Sequence, residues 1–444
     1  MRFLPLLVSI VSVAEVALAD SAENQHAKSL LERDVALGDW GGARTALEDR
    51  GVSFGLHYTE EILGVVNGGL RRQAEYNGLV QLDFDLDLEK AVGWTGGAFH
   101  ATGFAGFGPS LSGRSIGDDS NVSNINMRNG TRLFEAYLQQ AFGEKFSLRA
   151  GLLATDSEFY DSACDFVDSR GGTLFVNSDF GAIPILSFNV PEPIFPVSAP
   201  GVSITITPTD ALTFRAAIYD GQPVPADEFD DRNAHGFSPR LDAGDGALIL
   251  AEVQYDLNKT GDLVCRSTDG KSYDMVQFPR GLGGRYKIGG FYHSGTFTRW
   301  SQDRDRRGNG GGYLVGHQMI WRENERDNQG LCVFARLGLA PRDRNVLDLS
   351  ADGGLHYRGL FPGRDEDDFG VGVSVKRYSP EFSDSERRAG NPGRDRETIF
   401  EVSYSAKVTP WLALQPDLQY VLHPAGDHGA SDAVVAGVRV TMDF

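Results

Sequence analysis

The sequence predicts an all-β protein: a single 16-stranded antiparallel transmembrane β-barrel with a short N-terminal helix and a long pore-constricting loop. Three observations predict it. From about Val52 onward, apolar and polar residues alternate with period two. The alternating segments often run to about ten residues or more, the length a tilted strand needs to cross a bilayer. The connections between them also alternate between short and long, a sorting that a water-soluble sandwich has no reason to adopt.

Residues 1–19 stand apart from the fold. Arg2 supplies a positive charge, Phe3 to Val13 form a short apolar core, and Ala17-Leu18-Ala19 makes a small-x-small cleavage site. This pattern is a secretory signal peptide, which places the mature chain outside the cytoplasm. Residues 20–51 form a lead segment. Within it Gly38-Asp39-Trp40-Gly41-Gly42-Ala43-Arg44-Thr45-Ala46-Leu47-Glu48 reads as a short helix, with Asp39 as N-cap, Arg44 and Glu48 one turn apart, and Gly51 as its stop.

The barrel is expected over residues 52–444. In the second strand Val80, Leu82, Phe84, Leu86 and Leu88 alternate with Gln81, Asp83, Asp85 and Asp87. The same alternation places strands near 52–65, 76–90, 97–108, 131–142, 146–155, 201–208, 211–220 and 246–257. The remaining eight fall near 283–296, 313–323, 330–340, 352–361, 367–379, 397–409, 411–423 and 433–444. Connections after even-numbered strands are mostly tight, such as Gly143-Glu144-Lys145 and Pro208-Thr209-Asp210. Those after odd-numbered strands are long and polar, and the 258–282 connection breaks the rule. The final strand carries Val434, Ala436, Val438, Val440, Met442 and Phe444 on one face, and should close the barrel beside the first.

At about sixteen strands the interior is wide enough to hold water. With apolar residues outward, the lumen receives His57, Glu61, Asp83, Asp85, Glu135, Arg149, Arg215, Glu252, Arg285, Lys287, Arg336, Lys376, Glu401, Asp417 and Arg439, among others. These charges are expected to solvate the wall of a wet pore. The connection over 155–200 is the longest, and it carries Leu174-Phe175-Val176 and Ile183-Pro184-Ile185-Leu186 amid acidic residues. So much apolar content calls for a partner, and the barrel interior is the economical place to find one.

Several function classes are excluded or disfavoured. A net charge of −19 argues against nucleic acid. None of the nine histidines lies in an HExxH motif or beside a GxSxG, so no enzyme is expected. The Asp365-Glu366-Asp367-Asp368 run lacks calcium-loop spacing, and no metal or cofactor is expected. Cys164, Cys265 and Cys332 allow at most one disulfide, with Cys265 and Cys332 the candidate pair.

The Gly38–Gly51 stretch closely resembles the GDWGG-R-x-x-L-x-x-x-G opening of the OprB-type carbohydrate-selective outer-membrane porins. Arg132 to Gln140, Gly151 to Phe159 and Gln318 to Glu323 are also similar to segments of that family. The resemblance implies a sixteen-stranded porin in the bacterial outer membrane that lets small, glucose-like sugars diffuse passively. Carried over residue by residue, it points to Glu135, Arg149, Asp156, Glu158 and Arg170 at the constriction, with Asp39, Trp40 and Arg44 as further candidates. A general or weakly cation-selective porin is the alternative, suggested by the net charge and the row Asp83, Asp85, Asp87. Small sugars, outer-membrane lipids and lipopolysaccharide, and the barrel-assembly machinery are the expected partners. Homotrimer and monomer both stay open.

Overall fold

The computed structural model describes residues 29–160, 174–223, 235–237, 244–258, 263–267, 273–277, 281–301, 304–323 and 329–444. The expected signal peptide, Arg170 and Cys164 lie outside the described residues.

Sixteen strands close into one antiparallel barrel. The first eight are β1 (Val52–Gly68), β2 (Ala74–Asp87), β3 (Gly97–Phe107), β4 (Gly130–Phe142), β5 (Phe146–Leu153), β6 (Ala199–Thr209), β7 (Leu212–Asp220) and β8 (Ala247–Leu257). The long connection on the short side contains a separate two-stranded sheet of β9 (Leu263–Ser267) and β10 (Tyr273–Gln277). The barrel resumes with β11 (Gly284–Arg299), β12 (Arg304–Arg322), β13 (Gly330–Leu339), β14 (Leu347–Arg358), β15 (Asp368–Tyr378), β16 (Arg396–Thr409), β17 (Leu412–Leu422) and β18 (Ala433–Asp443).

Each predicted strand has its counterpart. The largest boundary difference is β12, which starts at Arg304 rather than near 313 because Arg304–Arg307 and the Asn309–Gly312 run pair with β11 instead of turning. Glycine is needed there: a Cβ on Gly311 would meet the Phe291 ring at 2.7 Å. β18 closes against β1 with Asp443 opposite His57 and Arg439 opposite Glu61, as the terminal alternation predicts. The Phe444 N–H completes the ladder on the Leu56 carbonyl at 2.9 Å.

The alternation sorts outward and inward faces as expected. Ile62, Leu82, Ile288 and Val438 are exposed on the outside. On the inside, charges of opposite sign stand across neighbouring strands: Glu61 faces Arg439, Arg215 faces Glu252, Asp256 faces Arg285, Arg336 faces Asp352 and Lys376 faces Glu397. Their closest nitrogen–oxygen distances are 2.7, 3.5, 2.8, 2.9 and 2.5 Å in that order. The expectation that wall charges simply meet water is therefore corrected along β8 and β11–β18, where most are buried in pairs.

A second correction concerns the half of the barrel away from the C-terminus. There the inward face is apolar too: Leu63, Val65, Leu248, Leu250, Ile399, Val421, Ala433 and Val435 are buried. Runs such as Ala247-Leu248-Ile249-Leu250-Ala251 are apolar on both faces because one face meets lipid and the other meets loops folded into the lumen. Cys332 is a free, buried thiol packed on Met319, so the disulfide considered with Cys265 is not formed.

Candidate functional site: the lumen constriction

The connection after β5 crosses the barrel interior. The backbone N–H groups of Val176 and Asn177 donate to the two oxygens of Glu401 at 2.5 and 3.0 Å, and Asn177 Nδ2 donates to Gln419 Oε1 at 2.9 Å. The Asp179 carboxylate accepts from Ser374 Oγ at 2.9 Å and from Lys376 Nζ at 3.2 Å, and also from Ser120. Its carbonyl accepts from Arg336 Nη2 at 2.7 Å. Further along, Asn189 exchanges two 2.9 Å hydrogen bonds with the Leu347 backbone. Apart from Ser120, these anchors sit on β13–β17, so a loop that leaves β5 is fastened to the opposite wall.

Local sequence explains how the segment folds there. Asn177 caps a single turn over Ser178–Gly181, and Pro184 starts another over Pro184–Ser187. The second turn buries Ile183, Ile185 and Leu186 against Leu248, Leu250, Phe291 and Val315 of the wall. Phe175 and Phe180 stack at 4.4 Å on one another and rest on Phe334. Glycines on the inward face let the loop lie close: a Cβ on Gly338 would come within 2.3 Å of Ile185, and one on Gly372 within 2.8 Å of Phe180. At its root the loop is stapled by Thr155, whose N–H donates to the Pro193 carbonyl at 2.7 Å. Glu192 Oε1 accepts from Thr155 Oγ1 and Tyr160 Oη, both at 2.6 Å.

A second long connection, 109–130, also turns inward. Leu111, Ile116 and Val122 are buried beside Val176, Ile399, Val421 and Val435. The two loops pair directly, Asn124 N–H to the Val176 carbonyl at 2.8 Å and Ser178 N–H to the Asn121 carbonyl at 2.9 Å. Sequence reasoning reads this connection as an outer loop only. Its Leu111, Ile116 and Val122, spaced through a polar stretch, are the signal that could have marked it.

With the β12–β18 wall covered, a solvent-facing polar strip runs along the inward face of β1–β6. His57 Nδ1 lies 2.7 Å from Asp443 and its Nε2 lies 3.5 Å from Asp83. His100 Nδ1 lies 2.7 Å from Asp85, and its ring sits 5.1 Å from that of Tyr137. The Arg149 guanidinium covers the Tyr137 ring at 5.0 Å, donates to Gln139 Oε1 at 2.7 Å and pairs with Glu158 at 2.9 Å. Ser203 Oγ donates to the same Glu158 oxygen at 2.8 Å. An aromatic face beside a fixed cation and carboxylate can receive both the ring and the hydroxyls of a sugar.

The sequence-predicted residues divide into groups. Arg149 belongs to this strip, and Glu158, whose side chain is only 6% exposed, holds it from behind. Glu135 is buried and accepts from the Ala154 N–H at 2.9 Å, and Asp156 accepts from the Phe195 N–H at 3.1 Å, so both brace the root of the loop. Burial pushes the Glu192 carboxyl beside them up to about 7. Asp39, Trp40 and Arg44 lie instead at the rim that holds the C-terminus. Asp39 accepts from Thr45 N–H and Oγ1 at 2.9 and 2.8 Å, which holds its carboxyl below the ordinary range; the helix Ala43–Glu48 has Gly42, not the expected Asp39, at its N-cap position. Arg44 covers the Trp40 ring at 4.8 Å and donates to the Phe444 carbonyl at 2.9 Å. Tyr137 and His100 were not among the predicted site residues; they appear only when the register puts them beside Arg149. Among the described residues, no three His, Cys, Asp or Glu side chains are placed to hold a metal ion.

Comparison with known proteins gives concordant matches. The family described as carbohydrate-selective porin, OprB family, matches residues 71–444. Porin B of Pseudomonas aeruginosa is 26% identical, over 92% of this chain and 91% of that protein. The high-pH structure of OprB from Pseudomonas putida superposes with a TM-score of 0.80 at 24% identity, covering 94% of this chain and 100% of the other. The low-pH structure of the same protein gives 0.57 at 20% identity, over 93% and 99%.

Proposed function

This chain belongs to the carbohydrate-selective porin family, OprB, of the bacterial outer membrane, and from that premise we propose that small neutral sugars cross by diffusion along the β1–β6 strip. It is a channel and not a catalyst. The Tyr137–Arg149–Glu158 group carries the reading. The part of the Tyr137 ring left open between Arg149 and His100 offers apolar surface to a pyranose, while the guanidinium, held in place by Glu158, exchanges for part of the sugar's hydration shell. A weak, shared site of this kind suits transport, since a solute that binds must also leave. Glu135 and Asp156 serve the same passage indirectly, by holding the loop root that positions Glu158.

Reconstituted protein should make liposomes swell faster in glucose than in a charged solute of similar size. Equal rates would remove the sugar preference and leave a general pore. One observation favours some cation preference beside it: Asp85 is 58% exposed on the strip, with Asp83 nearby and imidazoles as the adjacent counter-groups. A reversal potential under a salt gradient measures that preference directly.

A further inference from the structure

Outside the lumen, the turn between β17 and β18 carries a pair of imidazoles that the transport function does not use. His428 Nδ1 lies 3.2 Å from His423 Nε2, with ring centroids 4.1 Å apart and planes at 60°. The other nitrogen of His428, Nε2, lies 3.0 Å from Asp395 Oδ2, in the connection between β15 and β16. His428 and Asp395 are both 53% exposed.

We propose that His423 and His428 bind a late first-row divalent cation, of the zinc or copper class, at the rim away from the C-terminus. The geometry carries the assignment. Two imidazole nitrogens on one tetrahedral ion, each roughly 2.0–2.1 Å from the metal, stand about 3.3 Å apart. The observed 3.2 Å separation is close to that bite, and a rotation of the half-exposed His428 ring, whose centroid lies 4.1 Å from that of His423, turns both lone pairs toward one ion. Asp395 then takes the place of an outer carboxylate that accepts the ring N–H of a ligating histidine. It selects the tautomer of His428 whose Nδ1 lone pair faces His423.

His423 is itself held. Its backbone N–H donates to Asp432 Oδ1 at 3.0 Å and its carbonyl accepts from the Gly426 N–H at 2.8 Å, in a turn where φ is +52°. With only two protein ligands, water fills the remaining positions, so binding is reversible. Nitrogen donors select zinc and copper over the hard cations magnesium and calcium. The ion would also reach the constriction. The Ala425 N–H donates to Glu397 at 2.5 Å, and Glu397 pairs with the same Lys376 that holds Asp179 of the inbound loop.

Calorimetric titration of the detergent-solubilised full chain with ZnCl2 tests the proposal. One saturable equivalent is expected, weakened at least tenfold by His423→Ala and by His428→Ala, and severalfold by Asp395→Ala. Heat-modifiability on gels shows whether each variant has folded. Cu2+ spin-echo spectra of the unaltered chain need no variant, and should show two coordinated imidazole nitrogens. Absence of saturable zinc binding below millimolar concentration, wild-type affinity in both histidine variants, or a copper spectrum without two imidazoles would overturn it.

Discussion

Arg149 Nη1 lies 2.9 Å from Glu158 Oε1, so a residue of β5 is ion-paired to the first turn of the loop that leaves that strand. The pair turns a flexible connection into a fixed wall of the pore. Because Ser203 of β6 donates to the same carboxylate, the loop root is held by two adjacent strands.

Replacing Glu158 by Gln keeps its size and removes its charge. Sugar-induced block of the ion current should weaken roughly fivefold to tenfold, in line with about 1 kcal/mol or slightly more for a charge-assisted contact. Titrating glucose against single-channel current measures it; unchanged block would assign the carboxylate to structure alone.

Tyr137 separates stacking from hydrogen bonding. Tyr137→Phe should retain sugar block, since the ring under Arg149 and beside His100 remains. Tyr137→Ala should lose about 0.5–1.5 kcal/mol of it, the range of an aromatic contact. Equal effects from both variants would show that the hydroxyl, not the ring, is what the sugar meets.

Gly372→Leu should open the pore while leaving the barrel closed. The added side chain would enter the space of Phe180 and Phe175, and overpacking of that kind costs about 1–3 kcal/mol, which loop displacement relieves. Single-channel conductance should rise, with heat-modifiability unchanged. A fall in conductance would mean that the loop repacks in place.

Lys376 is fully buried between Asp179 and Glu397. Lys376→Met leaves two buried carboxylates without their cation, a loss of about 3–5 kcal/mol. The variant should expose residues 174–190 to protease under conditions where the parent resists. Equal resistance would show that apolar packing alone retains the loop.

Glu192 gives the loop root a dependence on pH. Its carboxyl titrates near 7 in the folded state, above an ordinary value of 4.5, because burial disfavours the charge. Between those values the folded form holds a proton that the released form does not. Its contribution to anchoring is therefore complete below about pH 4.5 and is lost as pH rises through 7. Protease access at the loop should increase from pH 5 to pH 8, and Glu192→Gln should flatten the increase. A slope of opposite sign would assign the titration elsewhere.

The strands were legible because a residue that faces lipid must be apolar, whatever its neighbours. The alternation of Leu82, Phe84 and Leu86 with Asp83, Asp85 and Asp87 therefore names both faces without reference to any contact. The inward course of residues 174–190 was legible for a similar reason: Ile183, Ile185 and Leu186 had to be covered. Their partners were not legible, since apolar burial has no address. The same limit hid the 109–130 connection, whose apolar residues are fewer and scattered. At the site, Arg149 and Glu158 stood out by resemblance, whereas Tyr137 and His100 needed the register of β3 against β4.

The sequence by itself determined the barrel, the facing of its strands, the closing position of Val434 to Phe444 and the family's sugar-conducting role. Those properties follow from period-two patterning against lipid and from motifs that lie along the chain. Only the tertiary structure decided that Lys376 meets Asp179 and that Asp39, Trp40 and Arg44 stand at the rim. It also decided that, among the described residues, the solvent-facing polar strip lies on β1–β6. These depend on which wall the 45-residue connection between β5 and β6 reaches, and that is set by long-range pairing of charges and by glycines that leave it room.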